Sequence, residues 1–203
     1  MAVVIKGSGT VEGISVGGLP DGVVDADTLA SNAVSTVKVA DDAVTAAKIG
    51  PKAFVSYALI FDQKSQDTAG GEFANGGWRQ RDLNTEGYDP DGIVSISSND
   101  FTLAAGNYLI KWSAPAYRVN RHMARLYDVT GTTTITPYGS SEHSGASEFN
   151  TTRSIGSARV TPTGSNTYRI YHRCETTKAT DGFGNYAGHD VEMYTRVEIY
   201  KEA

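Results

Sequence analysis

The sequence predicts an all-β protein: an antiparallel sandwich preceded by an extended N-terminal segment. Three observations carry this. Short apolar runs recur beyond residue 53 at the spacing of sandwich strands, each bounded by Gly, Pro, Asn or Asp turns. Glycine, tyrosine, threonine and serine are abundant, the composition of a β protein with many turns. Every Trp, Tyr and Phe lies after Pro51, so the chain before it lacks the large side chains needed to close its own core.

The expected organisation is an anchoring segment over 1–22, a repetitive stalk over 23–52 and a head over 53–203. In the stalk, Val24, Val34 and Val44 recur every ten residues, as do Leu29, Val39 and Ile49, with Lys38 and Lys48 before the last two. A fixed period signals a quasi-linear structure. One apolar residue in five makes a thin stripe that a single chain cannot bury. Either the segment is an Ala/Asp-rich linker, or it is ordered by partner chains wrapped on a common axis. A spacing of five fits the 3.6-residue helical turn poorly. In the anchor, Val3, Val4, Ile5, Ile14 and Val16 form two short β candidates between Gly-rich turns. Such a peptide can add strands to an open sheet edge of a neighbouring protein.

In the head, 54–61 is apolar on both faces. Phe54, Ala58 and Ile60 are expected on one, and Val55, Tyr57, Leu59 and Phe61 on the other. One face covers the core; the other calls for another copy of the chain. Further strands are expected at 77–83, 92–103 with a break at Ser98-Asn99-Asp100, 107–117, 121–130, 132–138, 153–161, 166–176 and 190–201. Alternation sends Tyr108, Ile110, Trp112 and Ala114 to the core, and likewise Tyr168, Ile170, His172 and Cys174. For 121–130 it leaves two choices: Ala124 with Leu126, or Met123 with Tyr127 and Val129. In the last strand Val191, Met193, Val197 and Ile199 are expected inside. Tyr194, Arg196, Glu198 and Tyr200 are expected on a second, partner-facing side, where Tyr and Arg are favoured.

The net charge is −5 and the pI about 5.3, so there is no basic excess for nucleic acid. The single cysteine, Cys174, excludes a disulfide framework and a multi-cysteine zinc site. The N-terminal apolar run is too short for a secretory signal, and no stretch approaches the ~18 residues of a membrane span. The expectation is a chain made in a cytoplasm, with no membrane insertion. His172 and Cys174 lie two apart and share a strand face, which reads as a core thiol beside a satisfied histidine rather than a nucleophilic pair. Asp89-Pro90-Asp91-Gly92 reads as a turn, not a calcium loop. Glu86 with Asp89 or Asp91 has nothing beyond the commonness of carboxylates to make it a glycosidase pair. No catalytic residue, metal or cofactor is expected. Recognition is assigned to two Gly- and Ser-rich loops carrying His143 and Phe149, and Phe183, Tyr186 and His189. Their rings can stack on the sugars of a cell-surface glycan, or tuck under their own loops.

The run from Gly92 through Phe101, Gly106 and Tyr108 to Tyr117 resembles the central segment of tumour-necrosis-factor-like and complement-globular-head-like jelly rolls. Ser157–Gly164 and Val191–Tyr200 sit where such domains place their late strands. Behind Val-Thr-Ala-Ala-Lys-Ile repeats, the whole is similar to fibre and head-spike proteins of tailed bacteriophages. The resemblance implies a jelly-roll head, a homotrimer with the first and last strands near its axis, and a place on the virion surface. A capsid decoration without receptor and a polysaccharide-degrading spike are the alternatives.

Overall fold

The structure is a computed structural model that describes residues 4–5, 11–12, 34–35, 39–40, 43–44, 48 and 54–203. The chain divides into two compact units, Met1–Thr45 and Ala46–Ala203. In the first, β1 (Val4–Ile5) pairs antiparallel with β2 (Val11–Glu12). Val34, Val39 and Val44 of the repeat are exposed. Val3, Ile14, Val16, Val24, Leu29 and Ile49 lie outside the described residues.

The second unit is an antiparallel two-sheet sandwich. Its strands are β3 (Phe54–Lys64), β4 (Arg79–Gln80), β5 (Thr85–Tyr88), β6 (Val94–Ser97), β7 (Asp100–Leu103), β8 (Tyr108–Tyr117), β9 (Asn120–Asp128), β10 (Thr133–Thr134), β11 (Glu142–Ser144), β12 (Thr151–Val160), β13 (Asn166–Cys174) and β14 (Glu192–Glu202). One sheet runs β12-β8-β14-β3-β5. The other runs β10-β9-β13-β7-β6, with β11 also on β9 and β4 on β13. From β7 onward the long strands alternate between the sheets, and the last, β14, returns beside β3. That is jelly-roll winding. Phe54 pairs with Glu202, so the two ends of the sandwich sequence lie side by side.

Both faces of the interior are built from alternating apolar residues. Ile60, Tyr108, Ile110, Trp112, Val197 and Ile199 come from one sheet, and Phe101, Leu103, Ala124, Leu126, Tyr168 and Ile170 from the other. Alternation thus places Tyr108 to Ala114 and Tyr168 to Cys174 inside, as the sequence predicts, and resolves 121–130 in favour of Ala124 and Leu126. Gly156 faces Trp112 across the β12–β8 pair, where a Cβ would overlap the indole. The expected break at Ser98-Asn99 is a tight turn with both residues at positive φ (52° and 66°). Asp89 confirms the turn reading: its two carboxylate oxygens accept from the Ile93 and Val94 amides at 2.9 Å.

Three expectations are corrected. Phe54 does not follow Ala58 and Ile60 inward. A register irregularity at Lys201/Glu202 turns it outward, where its ring lies 5.1 Å from that of Tyr200. A second irregularity between Met193 and Arg196 inverts the alternation at the start of β14, so Val191 and Met193 are exposed while Glu192 and Tyr194 are buried. The runs 77–83 and 132–138 each yield only a two-residue strand, and β5 and β11 were not expected.

Arg81, just beyond β4, is fully buried. Its amide donates to Ile170 O of one sheet. Its guanidinium crosses the sandwich to donate to Thr195 Oγ1 (2.7 Å) and Pro115 O (3.2 Å) of the other, and to Phe183 O (2.9 Å). The same group lies 3.9 Å above the Phe183 ring. Burial pulls its pKa down, opposed by Asp62 and Asp82. Arg81→Ala would leave three buried acceptors unpaired and a cavity, and should lower unfolding free energy by about 3 kcal/mol or more in urea titration. Arg81→Lys should recover only part, because one ammonium does not reproduce the planar fork.

Candidate functional site

Two surfaces of the sandwich stand out. The first is a cleft of about 720 Å³ at the end of the seven-stranded sheet. Its floor follows from register. His122 pairs with Glu142 on one side and Cys174 on the other, while Arg121 pairs with His143 and Met123 with Arg173. Gly76 and Trp78 close one wall. The Trp78 indole is fixed by the Arg125 guanidinium, 4.0 Å above the ring. Arg121 and Glu175 form a two-pronged ion pair, with Nε to Oε2 at 3.0 Å, and Arg121 holds the Glu175 carboxyl at about 2.

Beneath the cleft runs a buried polar chain. Thr152 Oγ1 meets His122 Nε2 at 2.7 Å, and His122 Nδ1 meets His172 Nε2 at 3.0 Å. His172 Nδ1 has no partner, and the ring lies 4.7 Å from that of Phe73. The best-satisfied tautomers have His172 Nε2–H donating to His122 and His122 Nε2–H donating to Thr152, which leaves a lone pair rather than an N–H orphaned. Burial, with the nearby Arg81 charge, pushes both histidines down, His122 to about 4. His172 therefore bonds His122 and not Cys174. The thiol faces the Phe73 and Thr176 carbonyls, and burial pushes it up to about 11. That environment suppresses thiolate chemistry. Among the described residues no cluster of three or more His, Cys, Asp or Glu is placed to hold a metal ion, and no helix is long and apolar enough to cross a membrane.

The second surface is the outer face of the five-stranded sheet. Rows across it read Lys111–Glu198–Leu59–Tyr88 and Leu109–Tyr200–Tyr57. Tyr57 lies 5.0 Å from Tyr200 and 5.9 Å from Tyr88, ring to ring. Phe54, Val55 and Tyr88 are 47%, 45% and 54% exposed. Glu198 accepts from Tyr200 Oη at 2.8 Å and pairs with Arg196 at 3.1 Å, a charged strip beside the aromatic one. Of the residues expected here, Tyr194 is absent. It is buried, with its hydroxyl donating to Thr68 O at 2.7 Å. Phe61 is also covered, its ring against Gly87.

The five loop residues do not converge. His143 lines the cleft. Phe149 is 84% exposed with Arg118 above its ring. Tyr186 and His189 are exposed on another loop, while Phe183 is buried against Phe73 and Arg81. Phe183 is therefore a core residue, because its carbonyl and ring both serve the buried guanidinium. Sequence reasoning missed Trp78, Glu142 and Arg173 as neighbours. Only the pairing of β9 with both β11 and β13 joins them, and no local pattern encodes it.

No protein-family description matches the chain, and no curated protein matches it. Solved structures similar to it include the globular domain of a zebrafish complement 1qA protein (14% identity, 71% of this chain and 94% of that one, TM-score 0.42). Murine APRIL at pH 8.0 (8% identity, 72% and 98%, TM-score 0.45) and at pH 5.0 (10%, 72% and 98%, 0.44) are also similar.

The buried histidines give a pH dependence. Their folded pKa values lie below the unfolded value of 6.5, so their neutral forms favour folding above that pH, and stability is lost as pH falls toward about 4. Denaturant midpoints should be flat near neutrality and drop below pH 6.5, with His122 alone accounting for roughly 2 kcal/mol by pH 4.5. Glu175 and Glu192, both held low by hydrogen bonds, add their loss only below about 4.5. A midpoint independent of pH between 7 and 5 would refute the neutral buried pair. Phe149→Ala, by contrast, should change stability by less than about 0.5 kcal/mol.

Proposed function

We propose that the chain is a homotrimeric structural appendage of a tailed-phage particle. Its N-terminal segment attaches it to other virion proteins, and the sandwich is a non-catalytic head turned to the host surface. The observation that carries the reading is the outer face of the five-stranded sheet. Tyr57, Leu59, Tyr88 and Tyr200 form a contiguous aromatic and apolar strip on the two central strands and one edge, in reach of solvent. An isolated sandwich gains nothing by leaving such a strip wet, whereas sister copies would bury it. The neighbouring Arg196, Glu198 and Lys111 give it the mixed rim of a specific interface.

Three heads on one axis bind a repetitive surface by avidity, so each site can be weak. The ten-residue repeat supports self-association. Its valines at 34, 39 and 44 are exposed in the single chain, as a stripe awaiting partner chains would be.

Light scattering on the full-length chain should give three times the 21.6 kDa subunit mass. Leu59→Asp should produce a folded monomer, since Leu59 lies on the outer face and its carboxylate would be desolvated only in the assembly. A wild-type chain that stays monomeric at high concentration would overturn the proposal. So would particles on which immunogold electron microscopy finds none of this chain.

A further inference from the structure

We infer that the cleft over β9 is a binding site for a neutral saccharide, with the Trp78 indole as its platform. The inference rests on the head reading only for biological purpose.

Its volume, about 720 Å³, lies within the range of small-ligand sites. The chemistry then narrows the ligand. The apolar part is an aromatic ring, Trp78, with Met123 beside it. The indole is half-buried, and Arg125 stacked over it holds its orientation before any ligand arrives. The polar part includes the Glu142 carboxylate as an acceptor and the Arg173 guanidinium as a donor, with Ser141 and His143 beside them. Among the described residues, neither the Glu142 carboxylate nor the Arg173 guanidinium has a hydrogen bond or ion pair. Arg121 and Glu175, in contrast, satisfy each other.

A ring that offers C–H groups on one face and hydroxyls around its edge meets all of this. Its apolar face lies on the indole, hydroxyls donate to Glu142, and others accept from Arg173. The charges cancel: Arg121 and Arg173 against Glu142 and Glu175. An anionic sugar gains no net attraction there and meets a chain of net charge −5. A nucleotide phosphate is disfavoured for the same reason.

Position agrees. β8 runs from Tyr108, paired with Lys201 near the chain end, to Tyr117. The next strand, β9, starts at Asn120 beside the cleft. The site therefore lies at the end of the sandwich away from Phe54, where the chain enters it.

The two tryptophans supply the readout. Trp112 is buried and Trp78 is not, so a ligand in the cleft changes the emission of Trp78 alone. The full-length chain is screened on an array of neutral and acidic glycans, then titrated by fluorescence with maltotriose, mannotriose and 3′-sialyllactose, adding any other array binder. Binding of a neutral oligosaccharide with a shift in emission is expected. Trp78→Ala should weaken it about tenfold or more and abolish the emission change. Glu142→Gln and Arg173→Ala, which disturb no internal bond, should each weaken it several-fold, and they keep the test valid if Trp78→Ala unfolds. Phe149→Ala and Tyr186→Ala should leave it unchanged. Binding that survives the cleft variants but falls with Phe149→Ala or Tyr186→Ala overturns the cleft and leaves the head reading intact. Preference for acidic glycans, or no saccharide binding by the folded trimer, also overturns it. A chain absent from particles would instead overturn the head reading, whatever the cleft binds.

Discussion

One buried cation holds the sandwich together. Arg81 leaves one sheet and spends its donors on the other, at Thr195 and Pro115, and on the Phe183 carbonyl of the loop that follows β13. A charge inside a protein is tolerated only where hydrogen bonds replace its hydration. The surrounding arrangement can be understood as that replacement. Phe183 must be inside to offer both carbonyl and ring, and Phe73 packs on it. His172, stacked on Phe73, is then kept neutral by burial and by the same guanidinium, so it seeks a neutral partner and finds His122. His122 in turn forms the base of the cleft. The polar interior and the surface site are therefore consecutive links from a single desolvated group.

The two register irregularities of β14 decide what the outside of the five-stranded sheet presents. Strict alternation would put Tyr194 in line with Arg196, Glu198 and Tyr200. The irregularity before Arg196 instead sends Tyr194 inward, where its hydroxyl holds the 68–70 segment through Thr68 O. The second, at Lys201, adds Phe54 to the outer cluster. One aromatic leaves the exposed strip and another joins it at the opposite end. The strip is thereby concentrated near Tyr57, Tyr88 and Tyr200, with the charged strip of Lys111, Arg196 and Glu198 beside it.

Most of the sandwich was legible in the residues, because period-two alternation over long strands is a strong signal. Tyr108 to Ala114 and Tyr168 to Cys174 went inside as read. So did the turns at Asp89 and Ser98-Asn99, whose chemistry is local. What alternation could not show is where it lapses. Val191 and Met193 were read inward because a one-residue irregularity leaves no mark in apolar spacing. Phe183 was read as a loop ring because nothing nearby reveals that Arg81, 102 residues away, needs its carbonyl. The cleft was least legible of all. Of the residues named in advance for recognition, only His143 borders it, since Trp78, Glu142 and Arg173 meet through pairings between distant strands.

The pairing of Phe54 with Glu202 has a mechanical consequence. The sandwich is entered at one end of β3, a strand hydrogen-bonded on both edges, to β14 and to β5. A pull between that point and the far end of the domain runs parallel to the strands. It strains the rungs of the β3–β14 ladder together, in shear, rather than opening them one after another like a zipper. The fold is consequently oriented to withstand tension along its long axis.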